Sequence, residues 1–252
     1  MGNFNVEIDF FRFAYNGTNI FVDTFSDGVP PPSHVNEAPS GPSFNPYLMI
    51  GSVTTETGGR AVLNSANAAD GQPLGTDPTK TIVATVPTNI APGGTLGFRQ
   101  DRNFDVVARF DLDSTIDPGS GYGIRLSDVV LNSNGDIIAG GDDNVFLTVS
   151  KSADGSVGIR MVERNFLTAT REIVGSAPLD PGGSDQIVLR LVHTAGTGEI
   201  KAYYSYVTAG VTGPENLLPG SVIKIFDGED YTRAQFFASS IDDIGAKLLD
   251  GD

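Results

Sequence analysis

The chain has 252 residues and a mass of 26.5 kDa, with 16 basic against 31 acidic side chains and a net charge of −15. So acidic a surface repels phosphate backbones and anionic headgroups, which excludes nucleic-acid and membrane-surface binding as leading expectations. No apolar run approaches the roughly 20 residues a membrane helix needs. The absence of cysteine removes disulfides, thiolate nucleophiles and zinc–thiolate sites. Of the acidic residues 23 are Asp and 8 are Glu, and there are 31 Gly and 15 Pro. That bias favours turns over helices.

Alternating and β-branched runs recur along the chain, separated by Gly, Pro, Asn and Asp clusters. The N-terminal residues MGNFNVEIDFFRF lack a basic segment followed by an apolar core, so they do not read as a secretory leader. The predicted strands begin with Asn5–Ala14, Asn19–Thr24, Tyr47–Thr54, Arg60–Asn64, Thr81–Val86, Phe104–Asp111 and Tyr122–Leu131. They continue with Val145–Lys151, Val157–Arg164, Thr170–Val174, Gln186–His193, Ile200–Val207, Ser221–Asp227 and Thr232–Ser239. One short helical stretch, Ile241–Leu249, closes the chain. Residues 27–46 hold six prolines and read as a surface loop within one domain spanning 1–252. Two hairpins are marked by their turns, Ala153-Asp154-Gly155 and Ala195-Gly196-Thr197-Gly198. Their long arms predict places at the centre of a large sheet.

Enzyme chemistry finds little purchase. Glu163, Glu172, Glu199, Glu215 and Glu229 lack the neighbouring carboxylates that acid–base cleavage of a glycosidic bond requires. His34 and His193 have no nucleophile elbow to serve, and GSGYG lacks the Lys and helix of a phosphate loop. Period-two alternation puts Arg109, Arg125, Arg160 and Arg190 on strand faces opposite the apolar rows, with Tyr203 and Lys201 on one face of their own strand. One reading is a solvated sheet with cross-strand Arg–Asp pairs. The other is a binding surface of Arg109, Arg125, Arg190 and Tyr203, in which guanidinium forks grip sugar hydroxyls or carboxylates and the ring stacks on a pyranose. The absence of Trp tells against the second.

Four segments in order resemble the concanavalin A-like lectin/glucanase superfamily, including laminin-G-like jelly rolls. They are FVDTFSDG, FDVVARFDLD followed by GYGIRLSD, IVLRLVH with GEIKAYYSYV, and FFASSIDDIGA. The resemblance implies an all-β, antiparallel two-sheet jelly-roll sandwich in one domain. It also implies a structural calcium joining the chain ends, which here would fall to Asp23, Asp27, Asp242 and Asp243. The expected role is a non-enzymatic carbohydrate-binding or adhesive module of an exported bacterial protein, taking a poly- or oligosaccharide, acidic ones included. A structural or interaction domain without a small ligand, and a divergent polysaccharide hydrolase or lyase, stay open beside it.

Overall fold

The computed structural model describes residues 3–29, 37, 48–50, 53, 55–71, 79–85, 98–99, 101–131, 137–165, 170–224 and 231–240. The strands are β1 Phe4–Tyr15, β2 Thr18–Asp23, β3 Leu48–Ile50, β4 Thr55–Glu56, β5 Ala61–Asn64, β6 Ala69–Gly71, β7 Thr79–Thr85, β8 Phe98–Arg99, β9 Phe104–Asp111 and β10 Thr115–Ile116. They continue as β11 Ser120–Leu131, β12 Ile137–Lys151, β13 Val157–Asn165, β14 Thr170–Pro178, β15 Gln186–Thr194, β16 Glu199–Thr208, β17 Val211–Thr212, β18 Asn216–Ile223 and β19 Tyr231–Ser240. Among the described residues the only helix is a single 3-10 turn, Ser65–Asn67. None is long and apolar enough to cross a membrane.

All pairings are antiparallel and fall into two sheets. The first runs β17-β16-β15-β9-β1-β5-β4, and the second β14-β13-β12-β11-β19-β7-β3. The fold is an all-β antiparallel two-sheet jelly-roll sandwich, as the concanavalin A-like resemblance implied. The core lies between the sheets. Val106, Ala108 and Phe110 of β9 and Ile187, Leu189 and Leu191 of β15 face Tyr122, Ile124 and Leu126 of β11 and Val145, Leu147 and Val149 of β12. Aromatic edges join the layers: Phe11 meets Phe236 at 5.1 Å between centroids, and Phe110 meets Tyr122 at 5.0 Å.

β1 changes phase within itself. Phe4, Val6 and Ile8 point inward, then Phe11 and Phe13 do. The register slips between Ile8 and Phe10 against β9, so Asp9 is the extra residue of a bulge. The doubled Phe10-Phe11 of the sequence is the trace of this slip: one ring of the pair turns outward, where the Arg109 guanidinium lies 6.0 Å from its centroid.

The Asp-Gly hairpin forms as expected. Gly155 has φ 89° and the Ser156 amide donates to Asp154 Oδ1 at 2.9 Å. Both hairpins, β12–β13 and β15–β16, hold the third and second places from one end of their sheets instead of the centre. β12 begins at Ile137, eight residues before the expected start, and takes in the Gly140–Asn144 run. Its ladder with β11 outweighs the poor strand propensity of Gly and Asp there. The helical expectation for 241–249 and most of the proline-rich stretch lie outside the described residues.

One side of the sandwich is closed by β18, which pairs with β16 of the first sheet and lies against β14 of the second. Glycines allow the approach. A Cβ at Gly220, where φ is 79°, would stand 2.4 Å from the Val174 carbonyl, and one at Gly175 2.7 Å from the Pro219 carbonyl. Gly220→Ala combines that backbone clash with left-handed strain and should cost roughly 2–4 kcal/mol in urea unfolding. Gly210→Ala, at φ 77° with open space around it, should cost only about 1 kcal/mol. Equal losses would mean that the β14–β18 contact does not constrain the chain.

Candidate functional site

The two outer faces of the sandwich differ in chemistry. On the first sheet, alternation and the β1 bulge bring Glu7, Asp9 and Arg12 alongside Asp105 and Arg109 of β9, Arg190 of β15 and Tyr203 of β16. Arg109 Nε donates to Asp9 Oδ1 at 2.7 Å, and Gln186 donates to the other oxygen of that carboxylate at 2.6 Å. Arg190 bridges two acids: Nε lies 3.3 Å from Asp105 Oδ2, and Nη1 lies 3.0 and 3.2 Å from the two oxygens of Glu215. Asp105 also takes Arg12, while Arg60 joins Glu7 and Asp111, each at 2.9 Å. The pairs are partly exposed, so each contributes a few tenths of a kcal/mol up to about 1. Burial opposes the charge of Arg190, yet Glu215 and Asp105 prevail and raise its pKa.

Arg190 and Tyr203 are cross-strand partners, with the guanidinium 5.9 Å from the ring centroid. At the β1–β2 end of this face, Arg190 and Asp105 line a polar pocket of about 270 Å³ with Gly17, Asn103, His193 and Thr194. Asn103 Oδ1 accepts the Ala195 amide at 2.9 Å. His193 is buried, stacks on Phe104 at 4.5 Å, and has Nδ1 3.0 Å from the Arg102 carbonyl. A carbonyl only accepts, so Nδ1 carries the hydrogen; burial lowers the ring's pKa and keeps it neutral.

Arg125 does not join this group. It stands on β11 of the second sheet, pairs with Asn144 through two nitrogens and lies 5.1 Å from the Phe146 ring centroid. Two sheets packed face to face turn their outer surfaces apart, so Arg109, Arg190 and Tyr203 share a face and Arg125 cannot line it with them. This corrects the four-residue grouping. Around Arg125 the outer face carries Ser127, Asn144, Thr148, Ser150, Gln235 and Ser239, and all are buried. Arg160 donates to Ser150 and Ser152 hydroxyls and to the Ser150 carbonyl. Its burial lowers its pKa.

Of the residues expected to hold calcium, Asp242 and Asp243 lie outside the described residues. Asp23 is buried and accepts the Phe25 amide at 2.8 Å, and Asp27 accepts the Val29 amide at 2.9 Å. The strand pattern did not point to Glu56 of β4, which is buried beside them. Neither of its carboxyl oxygens receives a hydrogen bond of normal geometry. Burial first, then the facing Asp27 carboxyl and the charge of Asp23, push its pKa up to about 8. A carboxylate set against another carboxylate requires a proton or a cation between them. Among the described residues no three His, Asp or Glu side chains are gathered as a metal-binding group.

The class defined by fold and surface is a jelly-roll sandwich with a paired-charge outer face and a small polar pocket at its end. No protein-family model matches the sequence, and no curated relative matches it. Among solved structures the chain is similar to a legume lectin-like domain from Entamoeba histolytica, with 11% identity over 77% of this chain and 85% of that one and a TM-score of 0.41. It is similar to the CBM2 module of the evolved Dit of Lactobacillus casei BL23 phage J-1, with 11% identity, coverage of 96% and 91%, and a TM-score of 0.34. An engineered GH43 glycoside hydrolase with endo-xylanase and exo-arabinofuranosidase activity matches at 15% identity over 64% of this chain and 33% of that one, with a TM-score of 0.31. The two-sheet architecture stands on the strand pairing itself.

The Glu56 environment has a pH signature. Its folded pKa of about 8 lies above the ordinary 4.5, so between these values the folded chain holds a proton that the unfolded chain has lost. Stability from this group is complete below about pH 4.5 and disappears as pH rises through 8. Glu56→Gln keeps the neutral shape. It should raise the melting temperature at pH 8.5 and flatten the decline between pH 5 and 8 in scans run with chelator, relative to the parent. Parallel curves would show that Glu56 is ionised throughout.

Proposed function

We propose that the protein is a non-enzymatic carbohydrate-binding module, and that the pocket at Arg190 and Asp105 receives one sugar unit of a glycan chain. The observation that carries this reading is the pairing of a guanidinium fork and a carboxylate at the edge of a polar pocket of about 270 Å³. Together they offer directed donors and acceptors, which is what a vicinal pair of hydroxyls needs. Asn103 and Thr194 add further polar groups, and Tyr203 beside Arg190 offers a ring face for a neighbouring unit. Because Arg190 is already neutralised by Asp105 and Glu215, and the chain carries −15, the ligand is a neutral glycan in preference to a uronate polymer. An export route and a place at the cell surface belong to the same reading.

The exposed side chains of Val211, Leu217 and Val222 favour a second reading, a protein-contact edge along β17 and β18. Self-association abolished by Leu217→Asp, with no glycan bound, would select it.

We also propose a structural calcium beside Glu56, with that carboxylate and the buried Asp23 among its oxygen ligands. Support comes from the buried Glu56 carboxyl, whose pKa burial and the neighbouring Asp27 and Asp23 carboxyls raise. Calcium added to chelator-stripped protein at pH 7.5 should raise the melting temperature of the parent by several degrees and leave Glu56→Gln nearly unmoved. A parent that does not respond removes the site.

For the sugar site, a panel of neutral and acidic polysaccharides should yield binding of a neutral glycan. Arg190→Ala should weaken it at least about tenfold, the loss of one charge-assisted contact. Arg125→Ala, on the opposite face, should leave it unchanged. Equal affinities for the parent and Arg190→Ala would place the site elsewhere.

A further inference from the structure

A second pocket, of about 250 Å³, opens between the sheets at the end of the sandwich away from the sugar pocket's turn. Leu112, Thr115 and Ile116, from the segment between β9 and β11, form one wall. Val149, Val157 and Leu179 form the other. Five of the nine lining residues are aliphatic, Ser114 and Thr115 add hydroxyls, and two further exceptions matter most.

Tyr122 is almost wholly buried, and no hydrogen bond to its hydroxyl is formed among the described residues. The hydroxyl is not sealed in the core: it opens on the pocket, where a ligand can meet it. Lys151 is the other exception. Tyr122 stands directly across from Val149 in the β11–β12 ladder, and Lys151 lies two residues beyond Val149 on the same inner face. The two side chains are thus diagonal neighbours, within reach of one small group. Lys151 forms no ion pair among the described residues. Asp111, whose charge acts on Tyr122, is paired with Arg60 at 2.9 Å.

We propose that this pocket binds an aliphatic monocarboxylate of about eight carbons, its chain among Leu112, Ile116, Val149, Val157 and Leu179 and its carboxylate accepting from the Tyr122 hydroxyl and the Lys151 ammonium. The size fits: dry cavities of about 150 Å³ accept benzene, so one of about 250 Å³ takes a longer chain. Tyr122 and Lys151 both donate and Lys151 carries a positive charge, which favours an anionic acceptor as head group. Desolvation pushes the Tyr122 pKa up, so the phenol keeps its proton as a donor. The site is separate from the Arg190 pocket and independent of the sugar reading.

The test is titration of the intact protein with sodium octanoate, followed by calorimetry for every variant and, for those without Trp, by tyrosine fluorescence as well. The parent should bind with a dissociation constant on the order of 1 mM or tighter. Tyr122→Phe, which keeps the ring packing, should bind about tenfold more weakly, as loss of one hydrogen bond to a charged group requires. Leu179→Trp, which fills the pocket from its partly exposed rim, should abolish octanoate binding while preserving the parent's melting temperature and its response to glycans. Octanamide, of the same shape without the charge, should bind more weakly than octanoate to the parent and equally to Lys151→Gln. Failure of the parent to bind octanoate at about 10 mM, or affinity unchanged in either Tyr122→Phe or Leu179→Trp, overturns the proposal.

Discussion

The aromatic and aliphatic layer between the sheets is the constraint on which the other features depend. Phe11, Phe21, Phe25, Phe110 and Phe236 are fully buried there, and each large apolar side chain so placed contributes about 1.5–3 kcal/mol. The edge-on contacts of Phe236 with Phe11 and Phe25 tie the last described strand to the first strands, so the two sheets close as one body. Once that layer is filled, every alternate residue is forced outward. The character of both outer faces follows from which polar residues occupy the remaining positions.

The β1 bulge shows how tightly the two are coupled. Without the extra residue at Asp9, inward Phe rings and outward charges would exchange places halfway along the strand. With it, Asp9 and Arg12 both reach the outer face and meet Arg109, Gln186 and Asp105. The resulting network neutralises the arginines of the first sheet locally. That leaves hydrogen-bonding directionality, and not net charge, as what this surface offers a ligand. The second sheet follows another course. Gly121 and Gly123 let β11 approach β12 so closely that a Cβ at 123 would lie 2.0 Å from the Leu147 carbonyl. Its outer face carries buried hydroxyls and amides, with Arg125 held by Asn144 and Arg160 by serines.

The ends of the sandwich hold what the faces do not. Sheet edges diverge there, loops supply short polar side chains, and small cavities form where the inner alternation runs out. The Arg190 pocket and the Tyr122 pocket both have this origin. The Asp23–Asp27 turn does too, with Phe25 at φ 50° and its ring buried in the core. In that turn the buried Phe25 ring carries the Asp23 carboxyl inward with it, and Glu56 of β4 is buried beside that carboxyl.

Period-two alternation in the sequence determined the all-β class, the inward rows of β9, β11, β15 and β16, and the tight Asp154-Gly155 reversal, because each is set by neighbours within a few residues. It also placed Arg109, Arg190 and Tyr203 away from the core. Alternation is blind to which sheet a strand joins, and so Arg125 was grouped with residues from which the whole core separates it. Nor does a local pattern show that β4 presses Glu56 against the Asp23–Asp27 turn, or that Lys151 stands diagonal to Tyr122. Those proximities join residues far apart in sequence, through strand order and register, and only the packing of the two sheets decides them.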